Sequence, residues 1–275
     1  PTPRGLLINR LLTADSNLTA KDMQQLQLNN FNVFAEMARP IFLKNIDKAK
    51  LSAEENNFFS LLENWDLNAD KNSEGATVFE ILWSEFRKAI YNDEYAKAPK
   101  VIIPPFESTL VEAILRDSAY KFIDDINTPQ IETLQDQTTK ALKAASVRLQ
   151  KISNDKHLAW GIYKQTQIYH LTKLPAFSSE ILDVDGSGFS INANKMNVAA
   201  QAAHGPSWRM VVSLTPQTEA YGVYPGGQSG NPGSRFYKNF ISTWVAGEYY
   251  PLWMMTAAEN KDKRVLGTIS FQSKK

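Results

Sequence analysis

The chain has 275 residues, 30 Lys and Arg against 29 Asp and Glu, and no cysteine. This length can bury a core, and the near-neutral charge argues against a general polyanion binder. The missing cysteine excludes disulfides, thiolate metal sites and a cysteine nucleophile. The longest nearly uncharged apolar stretch, 249–258, is about half the length of a membrane span. The sequence starts at Pro1 without a signal-peptide pattern, so we expect any export signal to lie upstream or to have been removed.

The part of the chain before about residue 155 has helical periodicity. Thr19 with Asp22 and Ser52 with Glu55 fit capping boxes, each opening a helix with an apolar stripe. We expect the first of these helices to end or kink at Pro40. The predicted helices have their apolar residues within 23–41, 58–62, 78–90, 110–115 and 131–152.

The second half changes to period-two segments that are rich in β-branched and aromatic residues and punctuated by glycine. We therefore expect an α+β fold in which a helical first half is followed by antiparallel strands, with the boundary near residue 155. The predicted strands are 161–171, 188–192, 207–214, 220–224 and 264–271, and one helix is predicted over 236–245.

Few residues form a pattern with clear chemistry. His157, His170 and His204 lack zinc-site spacing, and we interpret them as structural or surface residues. The loop 225–234 contains G-x-S, but Asn231 stands where a nucleophile elbow needs its second glycine. The loop also lacks phosphate-loop spacing, which favours an ordinary turn-rich connection.

Two stretches, 183–188 and 66–71, have the residue pattern that begins an EF-hand calcium-binding loop. The twelfth position, which should supply a bidentate Glu, is Asn194 in the first stretch and Thr77 in the second. Asp, Asn, Ser and Gly are also the residues that turns require. We interpret both stretches as turns and expect no saturable heat when calcium is titrated into the chain.

A collinear series of motifs resembles the C-terminal part of the penicillin acylase family. The motifs are HGPSWRMVV at 204–212, YPGGQSGNPGS at 224–234 and WVAGEYYPL at 244–252, preceded by WG at 160–161, HL at 170–171, GSGFSINA at 186–193, NWD at 64–66, GATVF at 75–79 and the helix start at 15–22. Their order and spacing both fit, and they span nearly the entire chain.

The resemblance implies an N-terminal nucleophile amidohydrolase, built as an αββα sandwich and matured by self-cleavage into α and β chains. The family nucleophile is the first residue of the β chain, whose free amine acts as the base. Pro1 has no hydroxyl and Thr2 has no free amine, so neither fits this role. We therefore expect the C-terminal half of a β chain, inactive alone, with a helical segment at 1–155 and a strand-rich segment at 156–275 completing the sandwich.

Arg4 is the one site residue that the resemblance assigns. It precedes I-x-R-L-L by four residues, as a family arginine does that positions an oxyanion-hole Asn about 20 residues upstream, outside this chain. A guanidinium can hold an amide oxygen and leave the amide N–H aimed at the developing oxyanion. The alternative is a surface arginine near a chain end.

The resemblance also implies partners and location. The expected partners are the rest of the acylase, its α chain and the first half of its β chain, and a small N-acyl substrate, with no nucleic acid and no membrane. No cofactor is expected in this segment, because the structural calcium of the family is bound by residues outside it. A periplasmic or secreted location is implied, and we expect an exposed apolar face on the isolated chain. The alternative function is a non-catalytic module that kept the acylase fold.

Overall fold

The structure is a computed structural model that describes residues 2–155, 157–197 and 202–273. Its helices within these ranges are α1 (Pro3–Ala14), α2 (Ala20–Gln27), α3 (Val33–Asn45), α4 (Ala53–Glu63), α5 (Glu74–Lys97), α6 (Glu107–Arg116), α7 (Leu134–Asn154), α8 (Trp160–Lys164) and α9 (Ile241–Val245). Its strands are β1 (Lys195–Asn197), β2 (Ala202–His204), β3 (Arg209–Ser213), β4 (Glu219–Val223) and β5 (Tyr250–Pro251).

Local capping sets where several helices begin. The predicted capping boxes at Thr19 and Ser52 are both confirmed at the starts of α2 and α4. Thr133 opens α7 in the same way. In each box the side-chain oxygen accepts a backbone N–H of the first turn, which would otherwise be unpaired. None of the described helices is both long enough and apolar enough to cross a bilayer.

The main core lies between the helices, with α5 packed against α4 and α7. Phe34 and Phe42 of α3 meet Phe79 and Trp83 of α5 edge to face, with ring centroids 4.9–6.5 Å apart. These aromatic rings are almost completely buried. Each buried ring of this size contributes about 1.5–3 kcal/mol through the hydrophobic effect, so this aromatic cluster fixes the position of α5.

Two small antiparallel sheets lie in the second half. Strands β3, β4 and β5 form one sheet in that order, with Val211 opposite Tyr221. Strands β1 and β2 pair antiparallel as a separate two-stranded sheet, with Lys195 opposite His204. A smaller apolar cluster lies beside the sheets; it consists of Leu182, Val184, Val223, Ile241 and Trp244.

The single helix expected across 23–41 is wrong, because the structure has two helices there. The side chain of Asn32 accepts a hydrogen bond from Ala35 N at 2.9 Å and starts α3, while its own N–H donates to Leu67 O at 2.8 Å. This contact between distant residues draws the chain out of the helix. Pro40 lies inside α3 and does not end it.

Three predicted strands are also wrong. Residues 161–171 begin as α8, where Gly161 N donates to Lys71 O at 2.7 Å. Residues 188–192 form a turn closed by serine side chains, and residues 264–271 are irregular. The strands at 207–214 and 220–224 are confirmed as β3 and β4, and the helix expected over 236–245 is shortened to α9. Strand propensity alone cannot create a strand where no partner strand is available.

Candidate functional site

A cavity of about 790 Å³ lies between α5, the start of α1 and the loop that precedes β1. The paired residues Lys195 and His204 of the β1–β2 sheet also line it. Its lining consists of Arg4, Glu80, Trp83, Ser84, Arg87, Lys88, Tyr91, Asn92, Tyr95, Pro104, Glu107, Trp160, Gly188, Phe189, Ala193, Asn194, Lys195, His204, Gly205 and Pro206.

Arg4 lies in the first turn of α1 and lines this cavity. The helix begins there because Thr2 caps it, accepting a hydrogen bond from Gly5 N at 3.3 Å, and because Pro3 suits a first helical position. The Arg4 guanidinium donates through Nε to Ser190 O at 2.9 Å and through Nη2 to Gly188 O at 3.0 Å. The side chain is half-buried, so it is held against the loop in a fixed direction.

The loop that receives Arg4 is fixed by its own hydrogen bonds. Ser187 N donates to Ser190 Oγ at 2.7 Å, and Ser190 Oγ donates to Asn192 O at 2.8 Å. Trp160 Nε1 donates to Gly186 O at 2.8 Å from the end of the helical core. Gly186 has φ +90°, and a Cβ there would lie 2.2 Å from Asn192 O, so only glycine fits.

Lys164, at the end of α8, stabilises the same loop from the interior. Its side chain is fully buried, and its Nζ lies 2.8 Å from Val184 O, 3.0 Å from Asp185 O and 2.9 Å from Gly186 O. Burial lowers the pKa of Lys164 to about 7, whereas the charges of Asp185 and Asp183 favour the ammonium. Three acceptors match the three N–H groups of an ammonium, so the geometry fits the protonated form.

Glu80 contributes a carboxylate to the cavity wall from the second turn of α5. Burial, followed by the charge of Glu107, raises the pKa of Glu80 to about 7, and Arg87 opposes this. Arg87 is itself paired with Glu107, with Nη1 3.0 Å from Oε1. Among the described residues, no side chain or backbone group forms a hydrogen bond or ion pair with the carboxylate of Glu80.

The sequence model of the penicillin amidase family matches residues 1–261. The chain belongs to the penicillin amidase family. It is 25% identical over 259 residues to the acyl-homoserine lactone acylase QuiP of Pseudomonas syringae pv. tomato (strain ATCC BAA-871 / DC3000), covering 82% of this chain and 31% of that protein. It is also 25% identical over 215 residues to QuiP of Pseudomonas syringae pv. syringae (strain B728a), covering 70% and 25%. The chain thus spans less than a third of these curated relatives.

A solved penicillin amidase family structure has the same fold. The thermostable penicillin G acylase from Alcaligenes faecalis matches with a TM-score of 0.52 at 12% identity, covering 96% of this chain and 51% of that one. The α+β class expected from the sequence is confirmed by this match. The membership inferred from the collinear motifs is likewise confirmed, and it places the chain in a family of amide hydrolases.

The structure brings Arg4 to a cavity, although the family role expected for it stays a prediction. Arg4 lies against the glycine-serine segment 186–193 that was part of the family motif series. Of the three histidines, His204 lines the cavity and is exposed, and His170 Nδ1 lies 2.8 Å from Thr172 Oγ1. His157 is exposed at the end of the helical core.

The segment 183–188 does not fit a calcium ion. Its carbonyls at Val184, Asp185 and Gly186 are bonded to the Lys164 ammonium, and Asp185 Oδ1 accepts Lys71 N at 2.7 Å. Among the described residues there is no group of three or more His, Cys, Asp or Glu placed to hold a metal.

The second calcium-like stretch is a turn in the described structure. Asp66 Oδ1 accepts Asn68 N at 2.9 Å, and Trp65 Nε1 donates to Asn68 O at 2.8 Å. In the loop 225–234, Ser229 Oγ accepts Asn231 N at 3.1 Å, which is the hydrogen bond of a short turn.

Glu80 and Lys164 are the site residues that sequence reasoning missed. Glu80 lies three residues before Trp83 and seven before Arg87, so helical spacing places all three toward one side of α5. A charge on this side of an apolar stripe is the signal that could have identified Glu80. Lys164 offers no such signal, because its burial depends on a loop 20 residues later.

Proposed function

We propose that this chain is the C-terminal part of an amidohydrolase that removes the acyl group from N-acyl amines. Family membership over residues 1–261 supports amide hydrolysis as the chemistry. The structural observation that supports the proposal is the position of Arg4. Its guanidinium is held at the cavity wall by hydrogen bonds to the carbonyls of Gly188 and Ser190. N-acyl homoserine lactones are the proposed substrates, since the two curated relatives are named as acylases of these compounds.

In this proposal the nucleophile and the oxyanion-hole Asn are supplied by the rest of the acylase. The nucleophile would attack the amide carbonyl, and the Asn amide would donate to the oxyanion that forms. Arg4 would act as a positioning residue. Two of its N–H groups are bonded to the loop, and its remaining N–H groups would donate to the Asn side-chain oxygen.

The proposal also covers the partner segments, the cofactor requirement and the location of the enzyme. The chain works with the α chain and the earlier part of the β chain, needs no cofactor bound to its own residues, and acts in the periplasm or outside the cell. Its share of the relatives' length, 31% and 25%, supports a requirement for further acylase segments.

The test is a complementation assay with the 275-residue chain. The chain is incubated with an N-acyl homoserine lactone, alone and after co-expression with the remaining segments of the parent acylase, and free amine is measured. We expect turnover only from the assembled protein. Turnover by the chain alone would contradict the requirement for an external nucleophile, and absence of turnover from a correctly folded assembly would favour a non-catalytic module.

A further inference from the structure

One face of α5 combines a carboxylate with aromatic rings inside the cavity. Glu80, Trp83, Arg87 and Tyr91 follow one another at intervals of three to four residues, and all four line the cavity. Trp83 and Tyr91 are each 4% exposed, so their rings form a rigid part of the wall. Phe189 completes the aromatic wall and stacks on a core phenylalanine with a centroid distance of 4.4 Å.

Four other charged residues of the wall, Arg4, Arg87, Lys88 and Glu107, already have partners. Arg87 is paired with Glu107 at 3.0 Å, and Lys88 is paired with a carboxylate of its own helix at 2.8 Å. Arg4 donates to two backbone carbonyls. Glu80 has neither an ion pair nor a hydrogen bond among the described residues.

The remaining basic residues of the lining, Lys195 and His204, are exposed to solvent. Water competes with any ligand for these two side chains, and the charge of Lys195 is screened. A half-buried carboxylate without a partner is costly, and a bound cation would offset that cost. Burial and the charge of Glu107 raise the pKa of Glu80 to about 7, and the charge of Arg87 opposes this.

We propose that this cavity binds an organic primary ammonium, with the ammonium on the Glu80 carboxylate and its organic group against the half-buried rings of Tyr95 and Phe189. An ammonium has three N–H donors for the carboxylate, and the half-buried aromatic rings of the lining offer apolar surface to the organic group. Identifying this ligand with the amine released from the N-acyl substrate rests on the proposed function. In that case Glu80 selects substrates by the amine that they release.

The probe for the test is benzylamine, which carries an ammonium and one flat ring, and the neutral comparison compound is benzyl alcohol. Binding of each to the 275-residue chain is measured by isothermal titration calorimetry. The variants are Glu80→Gln, Glu80→Asp and, as a matched control, Glu74→Gln, which removes an exposed carboxylate from the first turn of the same helix. Circular dichroism checks that each variant is folded.

We expect benzylamine to bind more tightly than benzyl alcohol. Glu80→Gln should weaken benzylamine binding by about tenfold or more, because a charge-assisted hydrogen bond is lost. Glu80→Asp should keep part of the affinity, and Glu74→Gln should leave it unchanged. Equal affinity for the two compounds, or an equal loss in Glu80→Gln and Glu74→Gln, would overturn the proposal.

This measurement does not depend on turnover. If the amine binds through Glu80 but the assembled acylase releases no amine, the proposed function fails and the binding site stands. If the assembly is active but benzylamine does not bind, the binding site is wrong and the proposed function stands.

Discussion

Arg4 and Lys164 donate hydrogen bonds to carbonyls of neighbouring residues in one loop. Lys164 holds the carbonyls of Val184, Asp185 and Gly186, and Arg4 holds those of Gly188 and Ser190. In the loop 184–190, five of the backbone carbonyls therefore accept hydrogen bonds from these two side chains. The position of Arg4 at the cavity consequently depends on a lysine that is itself absent from the cavity lining.

Replacing Lys164 should destabilise the chain. Lys164→Met keeps the length of the side chain but leaves the carbonyls of Val184 and Asp185 without their donor, while Gly186 O keeps only Trp160 Nε1. We therefore expect the free energy of unfolding to fall by about 2–4 kcal/mol. Urea denaturation measures this loss. Lys143→Met, at an exposed position of α7, is the control and should change stability by less than about 0.5 kcal/mol. An equal effect of the two substitutions would show that the Lys164 hydrogen bonds contribute no stability.

Two glycines in the same loop should respond differently to alanine. Gly186→Ala places a Cβ 2.2 Å from Asn192 O at φ +90°, and we expect a loss of about 2 kcal/mol or more in unfolding free energy. Gly188→Ala meets no atom within 4 Å and should change stability by less than about 1 kcal/mol. Thermal unfolding of the two variants provides the comparison, and similar melting temperatures would contradict it.

The pH dependence of stability should change when Glu80 is replaced. The pKa of Glu80 is raised from 4.5 to about 7 in the folded chain, so the folded state binds the proton more tightly than the unfolded state does. Its contribution to stability is present below about pH 4.5 and is lost as the pH rises through about 7. Glu80→Gln removes this loss, and we expect it to unfold at higher urea than the wild type at pH 8.

The size of that effect is on the order of 3 kcal/mol, because each unit between the two pKa values corresponds to about 1.4 kcal/mol. Glu94 also has its pKa raised to about 7, chiefly by burial. In Glu80→Gln the unfolding free energy should therefore still fall as the pH rises, but less steeply than in the wild type. The measurement is urea unfolding of both proteins from pH 4 to pH 8. Parallel curves for the two proteins over this range would contradict the prediction.

The proposed role of Arg4 predicts a loss of turnover in the assembled acylase. Arg4→Gln should lower kcat about 10²-fold or more and change KM little, because an oxyanion-hole donor acts mainly on the transition state. Arg10→Gln in the same helix removes only an exposed ion pair with Glu36 and should leave kcat unchanged. If both substitutions had the same small effect, Arg4 would be an ordinary surface residue.

The isolated chain should bind a hydrophobic dye through the outer face of β3. Met210 and Val212 are 47% and 39% exposed on this face, and Leu214 beyond the strand is 89% exposed. We expect Val212→Lys with Leu214→Lys to reduce dye fluorescence substantially. A control with the same added charge, Thr215→Lys with Gln217→Lys in the adjoining polar turn, should reduce it little. Equal reductions would assign the dye site to another surface.

Elements whose signals are local could be predicted from the sequence. The capping boxes at Thr19 and Ser52 and the apolar stripe of α5 predict helices that the structure contains. The break before α3 could not be predicted, because it depends on the contact between Asn32 and Leu67. The strand expected over 188–192 failed for a similar reason, since a local serine turn satisfies the backbone there.

In the candidate site, too, residues with a local sequence signal could be predicted, whereas features that depend on distant contacts could not. Arg4 could be identified because it belongs to a motif of contiguous residues, and Glu80 carried only the weaker signal of helical spacing. The burial of Lys164 and the cavity itself arise from contacts between α1, α5 and the loop, which are distant along the chain. No spacing rule within one element contains that information.

The loop 184–190, which is held by Lys164 and Arg4, contacts two apolar clusters of very different size. Phe189 packs against the large helical cluster, whereas Val184 belongs to the five-residue cluster beside the sheets. A cluster of five side chains gives little resistance to local opening, so amide hydrogens near the sheets should exchange well before those of α5. Heating or mild denaturant would therefore release Arg4 from its loop carbonyls while most of the helical signal remains.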